Sequence, residues 1–284
     1  MKIETSNFNV IKVINKNIVV VYQANIEKIL YEKGIGVGKN LGDNISKDDP
    51  IEKIFSIENK INYDNFNKLV NTVDDEVIAL CEEIIYMISK ELNEDLHERV
   101  HLSLIHHIEF TLKRIESGEN IQNPFLDEIK TLFSEEYKLA QKAAIMIEDK
   151  TKIYFPEDEI AFITLHIHAA RNDGGLSNAV RYAFVSNTII KMMEDELAIK
   201  IDRKSLAYAR FITHIRFTIQ RILNNTCLKN KLLHTIKRKY YASFKLAQKI
   251  SNFAEGELNL KVPEDETAYL AVYIQKFKRS RWKK

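Results

Sequence analysis

Eight histidines stand in this 284-residue chain. Histidine is the side chain with a usable nucleophilic nitrogen near neutral pH. Four of them, His97, His101, His106 and His107, crowd into one short stretch. Two more close the run Pro156-Glu-Asp-Glu-Ile-Ala-Phe-Ile-Thr-Leu-His166-Ile-His168. Metal ligation is the first chemistry to weigh. His166 and His168 are two apart on a helix, so they point nearly oppositely and cannot share one ion. His97 and His101, four apart, could share one. They are read, with His234, as surface or satisfied core residues, and no metal site is expected. No Ser/His/Asp or Cys/His order stands out. The acidic triplets after Pro156 and Pro263 read as helix-start electrostatics rather than paired catalytic carboxylates.

Glycine offers a second chemistry. Gly34, Gly36, Gly38 and Gly42 are four of the eight glycines. The spacing lacks the third glycine of a dinucleotide fingerprint, and a P-loop would need glycine where Lys33 stands. No cofactor is expected. Two readings stay open: a bulged loop closing a sheet, or a place where another backbone approaches closely, for which a nucleic-acid strand qualifies.

The elements that carry the histidines occur twice. Pro156 to His168 matches Pro263 to Gln275 at a constant offset of 107 residues. The same offset maps His107-Ile-Glu-Phe-Thr-Leu-Lys-Arg-Ile115 onto His214-Ile-Arg-Phe-Thr-Ile-Gln-Arg-Ile222, and Lys138-Leu-Ala-Gln-Lys142 onto Lys245-Leu-Ala-Gln-Lys249. This is a tandem duplication of a whole domain, since the period is too long for a solenoid unit. His107 and His214 share one structural position, while Tyr273 answers His166.

Along the chain, residues 1–60 differ in texture. Val10 to Tyr22 reads as two strands around Asn15-Lys16-Asn17, where asparagine tolerates a left-handed turn. Ile26 to Tyr31 and Ile51 to Ile57 add two more. So small a sheet has a marginal core that dimerisation would help. Residues 61–72 are polar and read as a linker. From Asp74 the helical period takes over: five helices in 73–175, repeated in 176–284. The fold class expected is therefore multidomain α+β: a small four-stranded antiparallel β domain, then two homologous all-α five-helix domains.

Composition, at 45% hydrophobic and 29% charged residues, fits a soluble globular protein. Apolar runs such as Ile18 to Tyr22 are too short to span a bilayer, and no signal peptide is read, so the expected compartment is the cytoplasm. Cys81 and Cys227 are expected as buried free thiols. The net charge of +2 does not by itself point to nucleic acid. The basic end from Lys276 reads as a solvated tail.

Several stretches in order resemble the transcriptional antiterminators regulated by the bacterial sugar phosphotransferase system. Lys12-Val-Ile-Asn-x-Asn17 is similar to that family's opening strand and turn. Lys33-Gly-Ile-Gly36 with Gly38-Lys39 resembles the glycine segment of its glucose-type members, although Glu32 and Val37 depart from the β-glucoside type. Leu104-x-x-His107-Ile-x-Phe110, the run from Pro156 to His168, and Arg210-x-x-x-His214-Ile-Arg-Phe-Thr-Ile resemble its phospho-acceptor motifs. The resemblance implies an RNA-binding co-antiterminator domain, two regulatory domains and no enzyme. It implies RNA contacts at Lys12, Asn15, Asn17, Lys33, Gly34 and Gly36, and phosphorylation at His107, His166 and His214. The implied partners are a leader-mRNA hairpin, a sugar-specific enzyme II, the histidine phosphocarrier protein and a second copy of the chain. A DNA-binding activator sharing the regulatory domains, or a histidine phosphotransfer enzyme, are the rival readings.

Overall fold

The computed structural model describes residues 7–24, 26–119, 121–172 and 175–280. The chain divides into two compact units, one comprising Met1–Asn123 and Glu135–Leu176, the other Pro124–Ser134 and Ser177–Lys284.

The first unit opens with an antiparallel sheet of order β4-β1-β2-β3-β5. Its strands are β1 (Phe8–Asn15), β2 (Ile18–Gln23), β3 (Ile26–Tyr31), β4 (Asn44–Ile45) and β5 (Lys53–Ile57). The expected four strands are thus joined by a two-residue fifth, β4, which pairs through Phe8 with Ile45 and Asn9 with Asn44. The β1–β2 hairpin closes where Asn17 N donates to Asn15 Oδ1 at 2.8 Å. Alternate residues of β2 serve two cores. Val19 and Val21 pack with Phe8, Val10, Leu30 and Ile45. Ile18 and Val20, with Ile14, Ile29, Phe55 and Ile57, pack against helices. A strand buried on both faces explains the uninterrupted Ile-Val-Val-Val run.

The segment expected as a linker is instead helix α1 (Lys60–Val70). Asn59 caps it by accepting from Ile61 N and Asn62 N, and Phe66, Leu69 and Val70 are buried. Helices α2 (Asp75–Leu92), α3 (Arg99–Glu116), α4 (Leu126–Leu132), α5 (Ser134–Thr151) and α6 (Glu157–Arg171) follow. The second copy supplies α7 (Leu176–Leu197), α8 (Leu206–Leu223), α9 (Leu233–Lys239), α10 (Tyr241–Leu258) and α11 (Glu264–Ser280). In the second unit α4 packs with α8, where the Tyr208 hydroxyl donates to Glu128 Oε1 at 3.1 Å.

Cys81 is buried in α2, and burial pushes its thiol up. Cys227 corrects the expectation of a buried thiol: it is half-buried in the loop after α8. The polar Asn224-Asn225-Thr226 segment ends the helix before it.

Candidate functional site

α3 buries Leu104, Ile105, Ile108, Thr111 and Leu112 at helical spacing, which fixes the side of the helix His107 occupies. Thr111 and Arg114, four and seven residues on, fall near that side. On α6, Glu159 lies in the first turn and His166 seven residues later. The two helices pack so that these residues meet. The rings of His107 and His166 are 4.9 Å apart and tilted by 35°. Thr111 Oγ1 donates to Glu159 Oε2 at 3.1 Å, and the Arg114 guanidinium pairs with Glu159 Oε1. His107 Nε2 lies 3.4 Å from Glu159 Oε2 and makes no hydrogen bond. Arg114 Nε and His166 Nδ1 are likewise buried without a partner.

Burial lowers the His107 pKa to about 3, with His166 and Arg114 adding to the effect. Burial alone lowers His166 to about 4. Both imidazoles are therefore neutral at pH 7 and carry a free lone pair. Burial also pushes the Glu159 carboxyl up, against the pull of Arg114 and Thr111.

The second copy repeats the arrangement with one exchange. Thr218 Oγ1 donates to Glu266 Oε2 at 3.2 Å, and Arg221 donates to both Glu266 oxygens at 2.8 and 2.6 Å. The Tyr273 ring stacks on His214 at 4.5 Å where His166 lies against His107. Lys276 Nζ sits 4.9 Å from the centre of the Tyr273 ring. Burial lowers His214 to about 4, with Arg221 and Lys276 adding and Glu266 opposing. Arg210, Thr213, His214, Phe217, Arg221 and Tyr273 line an open cavity of about 410 Å³. Here Arg221 holds the Glu266 carboxyl below its usual range, against the cost of burial.

The sheet brings the other candidates together around one hairpin end. Asn17 Oδ1 accepts from Gly34 N at 3.0 Å, and Gly36 N donates to Lys16 O at 3.1 Å. A Cβ at position 36 would lie 2.2 Å from Asn15 O. The close backbone approach is thus made by the chain itself. Gly34, at φ +83°, turns the loop in the left-handed region. Lys33 is exposed beside it. Glu32 turns its carboxylate back to accept from Lys33 N at 2.9 Å and Glu52 N at 3.0 Å. Lys12 and Asn15 are engaged within the unit. Lys12 Nζ pairs with Asp75 at 2.6 Å and donates to Val70 O at 2.5 Å. Asn15 Nδ2 donates to Glu83 at 3.4 Å.

Sequence reasoning missed Glu159 and Glu266, with Thr111, Arg114, Thr218 and Arg221. The signal was present: threonine and arginine recur at the same distances after both histidines, and the third acid recurs in both triplets. It weighed His97 and His101 as a metal pair but wrongly found no acid to complete a zinc-protease pattern, although Glu98 makes His97-Glu-Arg-Val-His101 match that spacing. Here His97 precedes α3 and its Nδ1 accepts from Arg99 N at 3.2 Å. His101 is buried, with Nδ1 2.8 Å from Glu82 Oε2. The Glu98 carboxylate accepts from the backbone of Glu58 and Asn59. Among the described residues, no group of three or more His, Cys, Asp or Glu side chains could hold a metal.

The family model described as PRD domain matches residues 82–170 and 187–277, and that described as CAT RNA binding domain matches 8–64. The chain is 32% identical over 269 residues to the transcription antiterminator LicT of Bacillus subtilis (strain 168), covering 93% of this chain and 97% of LicT. It is 35% identical over 279 residues to protein GlcT of Staphylococcus saprophyticus, covering 96% and 98%. The crystal structure of GlcT CAT-PRDI matches with a TM-score of 0.52 and 37% identity, over 59% of this chain and 99% of that one.

Proposed function

The chain belongs to the family of transcription antiterminators that join a CAT RNA-binding domain to two PRD domains, and on that premise we propose that it binds a leader-mRNA hairpin and so keeps a terminator from forming. The operon served is one of the sugar phosphotransferase system, of the glucose type. The observation that carries this is the match to antiterminators over more than nine-tenths of both chains. The reading is of a regulator rather than an enzyme, working in the cytoplasm. Among the described residues no helix is long and apolar enough to cross a membrane.

In this reading residues 1–60 bind the RNA as a homodimer. Lys33 supplies phosphate attraction, and Asn17 with Gly34 and Gly36 shapes the hairpin end that meets it. Lys12 and Asn15 contribute once released from Asp75 and Glu83. Helix α1, packed into the core of the first unit, leads into the regulatory domains 73–175 and 176–284. His107, His166 and His214 accept phosphoryl groups from a sugar-specific enzyme II and the histidine phosphocarrier protein. Their neutral rings support this, since a protonated imidazole has no lone pair to offer. Each phosphoryl group adds about −1.5 to −2 charge, enough to shift the assembly between states.

The test is binding of the full chain to the leader hairpin of a sugar-transport operon, with read-through of its terminator in a reporter. Saturable binding that weakens with salt, and read-through that depends on the chain, are expected. A chain that ignores every candidate hairpin and leaves termination unchanged overturns the reading.

A further inference from the structure

Behind each candidate acceptor lies the same trio, and the reading above assigns it nothing. Glu159 and Glu266 have side chains only 2% and 0% exposed. A buried carboxylate is costly unless paired and hydrogen-bonded. Each has both: Arg114 with Thr111 in one copy, Arg221 with Thr218 in the other. These bonds fix the carboxylate, yet Glu159 Oε2 still faces His107 Nε2 at 3.4 Å, a nitrogen with no other partner. The repeat keeps the trio where it exchanges His166 for Tyr273, so the constellation follows the histidine and not its ring neighbour. Asp158, Arg114 and His166 are the other charged or titratable groups around the first site. Arg221, Lys276 and Tyr273 surround the second.

We propose that Glu159 is a positioning residue for phosphoryl acceptance, holding the His107 ring proton on the facing nitrogen so that the opposite nitrogen presents its lone pair, and that Glu266, whose charge acts on His214, plays the same part in the second copy. This rests on the reading of His107 and His214 as acceptors. The logic is that of a carboxylate orienting a histidine in a catalytic triad. That lone pair attacks the phosphorus of a protonated donor phosphohistidine. One N–P bond forms as the donor's breaks, and the donor ring leaves neutral with the electron pair. The acceptor ring, now bearing both phosphoryl group and proton, is cationic. The carboxylate stabilises that charge, and no proton need depart.

The full chain treated with potassium phosphoramidate, whose ammonia is the leaving group, tests this without a protein donor. Phosphohistidine is quantified at each site by mass spectrometry across pH. Glu159→Gln should slow labelling of His107 by about 10-fold or more and leave His214 unchanged. Glu266→Gln should do the reverse, and Glu159→Asp should restore His107 toward wild type. The acid limb of phosphohistidine hydrolysis at His107 should move to lower pH in Glu159→Gln, because the carboxylate no longer favours the protonated ring. Equal rates and an unmoved acid limb overturn the inference. So does slowing at both histidines together, or failure of Glu159→Asp to restore labelling, since either marks a merely structural carboxylate. A wild-type chain unlabelled at His107, under conditions that label a histidine peptide, overturns the acceptor reading itself.

Discussion

A histidine whose proton affinity is lowered by burial makes the fold sensitive to acid. Burial, with His166 and Arg114 adding to it, lowers the His107 pKa from its ordinary 6.5 to about 3 in the folded chain. As pH falls below about 6.5 the unfolded chain takes up the proton first, so stability drops until the folded ring titrates. His166 and His214, each near 4, act in the same sense. Each contributes a slope of at most ~1.4 kcal/mol per pH unit. Urea unfolding at a series of pH values should show this slope between pH 6.5 and 4, and His107→Gln should reduce it by one group's share. The buried Arg114 is the other sensitive position. Arg114→Ala strands the Glu159 carboxylate and should cost about 3–5 kcal/mol. An exposed lysine behaves differently. Lys33→Ala should leave stability alone, weaken hairpin binding, and reduce the salt slope by about 1. His107 and His214 were legible as candidate acceptors because repeat and resemblance coincide on them, whereas His166 was a candidate by resemblance alone. Glu159 was not, because an acid just after a helix-starting proline already has a sufficient cause in the helix field. Only the packing of α6 on α3 shows that the third acid of the triplet turns inward.

Short elements set the limits of what could be read from pattern. Helix α1 is rich in asparagine and carries four apolar residues beyond its first turn, Tyr63, Phe66, Leu69 and Val70, so its composition resembles a linker. Its stability comes from tertiary burial, which polarity counts do not see. Phe66→Ala should therefore cost about 3–5 kcal/mol, while Asn59→Ala, which removes the cap, should cost about 1. Thermal unfolding of the full chain distinguishes the two. If α1 behaved as a solvated linker, both changes would be neutral. Strand β4 escaped notice because two residues have no period. The long elements were legible for the opposite reason: α3 and α8 carry an apolar stripe over several turns, and α6 and α11 open on a proline followed by three acids. The hairpin end lies between these cases. Glycine there left a bulged loop and a close backbone approach both open, and the fold shows the approaching group at Gly36 to be Asn15 O of the chain itself.

The first unit joins the sheet to regulatory helices through one continuous core, in which Ile14, Ile18, Val20 and Phe55 share a cluster with Ile78, Leu104 and Ile108. Above that core the polar contacts fall on residues proposed to meet RNA. Lys12 pairs with Asp75 at the start of α2, and Asn15 donates to Glu83 two turns further along. An acid placed on a phosphate-seeking lysine competes with phosphate for the same ammonium group. The Lys12–Asp75 pair is half-open to solvent, at 27% and 51% exposure, so it is worth no more than ~1 kcal/mol. That bounds the competition at roughly 5-fold in affinity. Asp75→Asn in the full chain should tighten hairpin binding by up to about 5-fold, and the gain should vanish when Lys12→Ala is combined with it. Filter binding at two salt concentrations reads both effects. The gain should be larger at low salt, where the pair being broken is least screened. An unchanged affinity for Asp75→Asn, alongside weakened binding by Lys12→Ala alone, would mean that Lys12 meets RNA without leaving Asp75. The contact between sheet and α2 would then be compatible with the bound state rather than opposed to it.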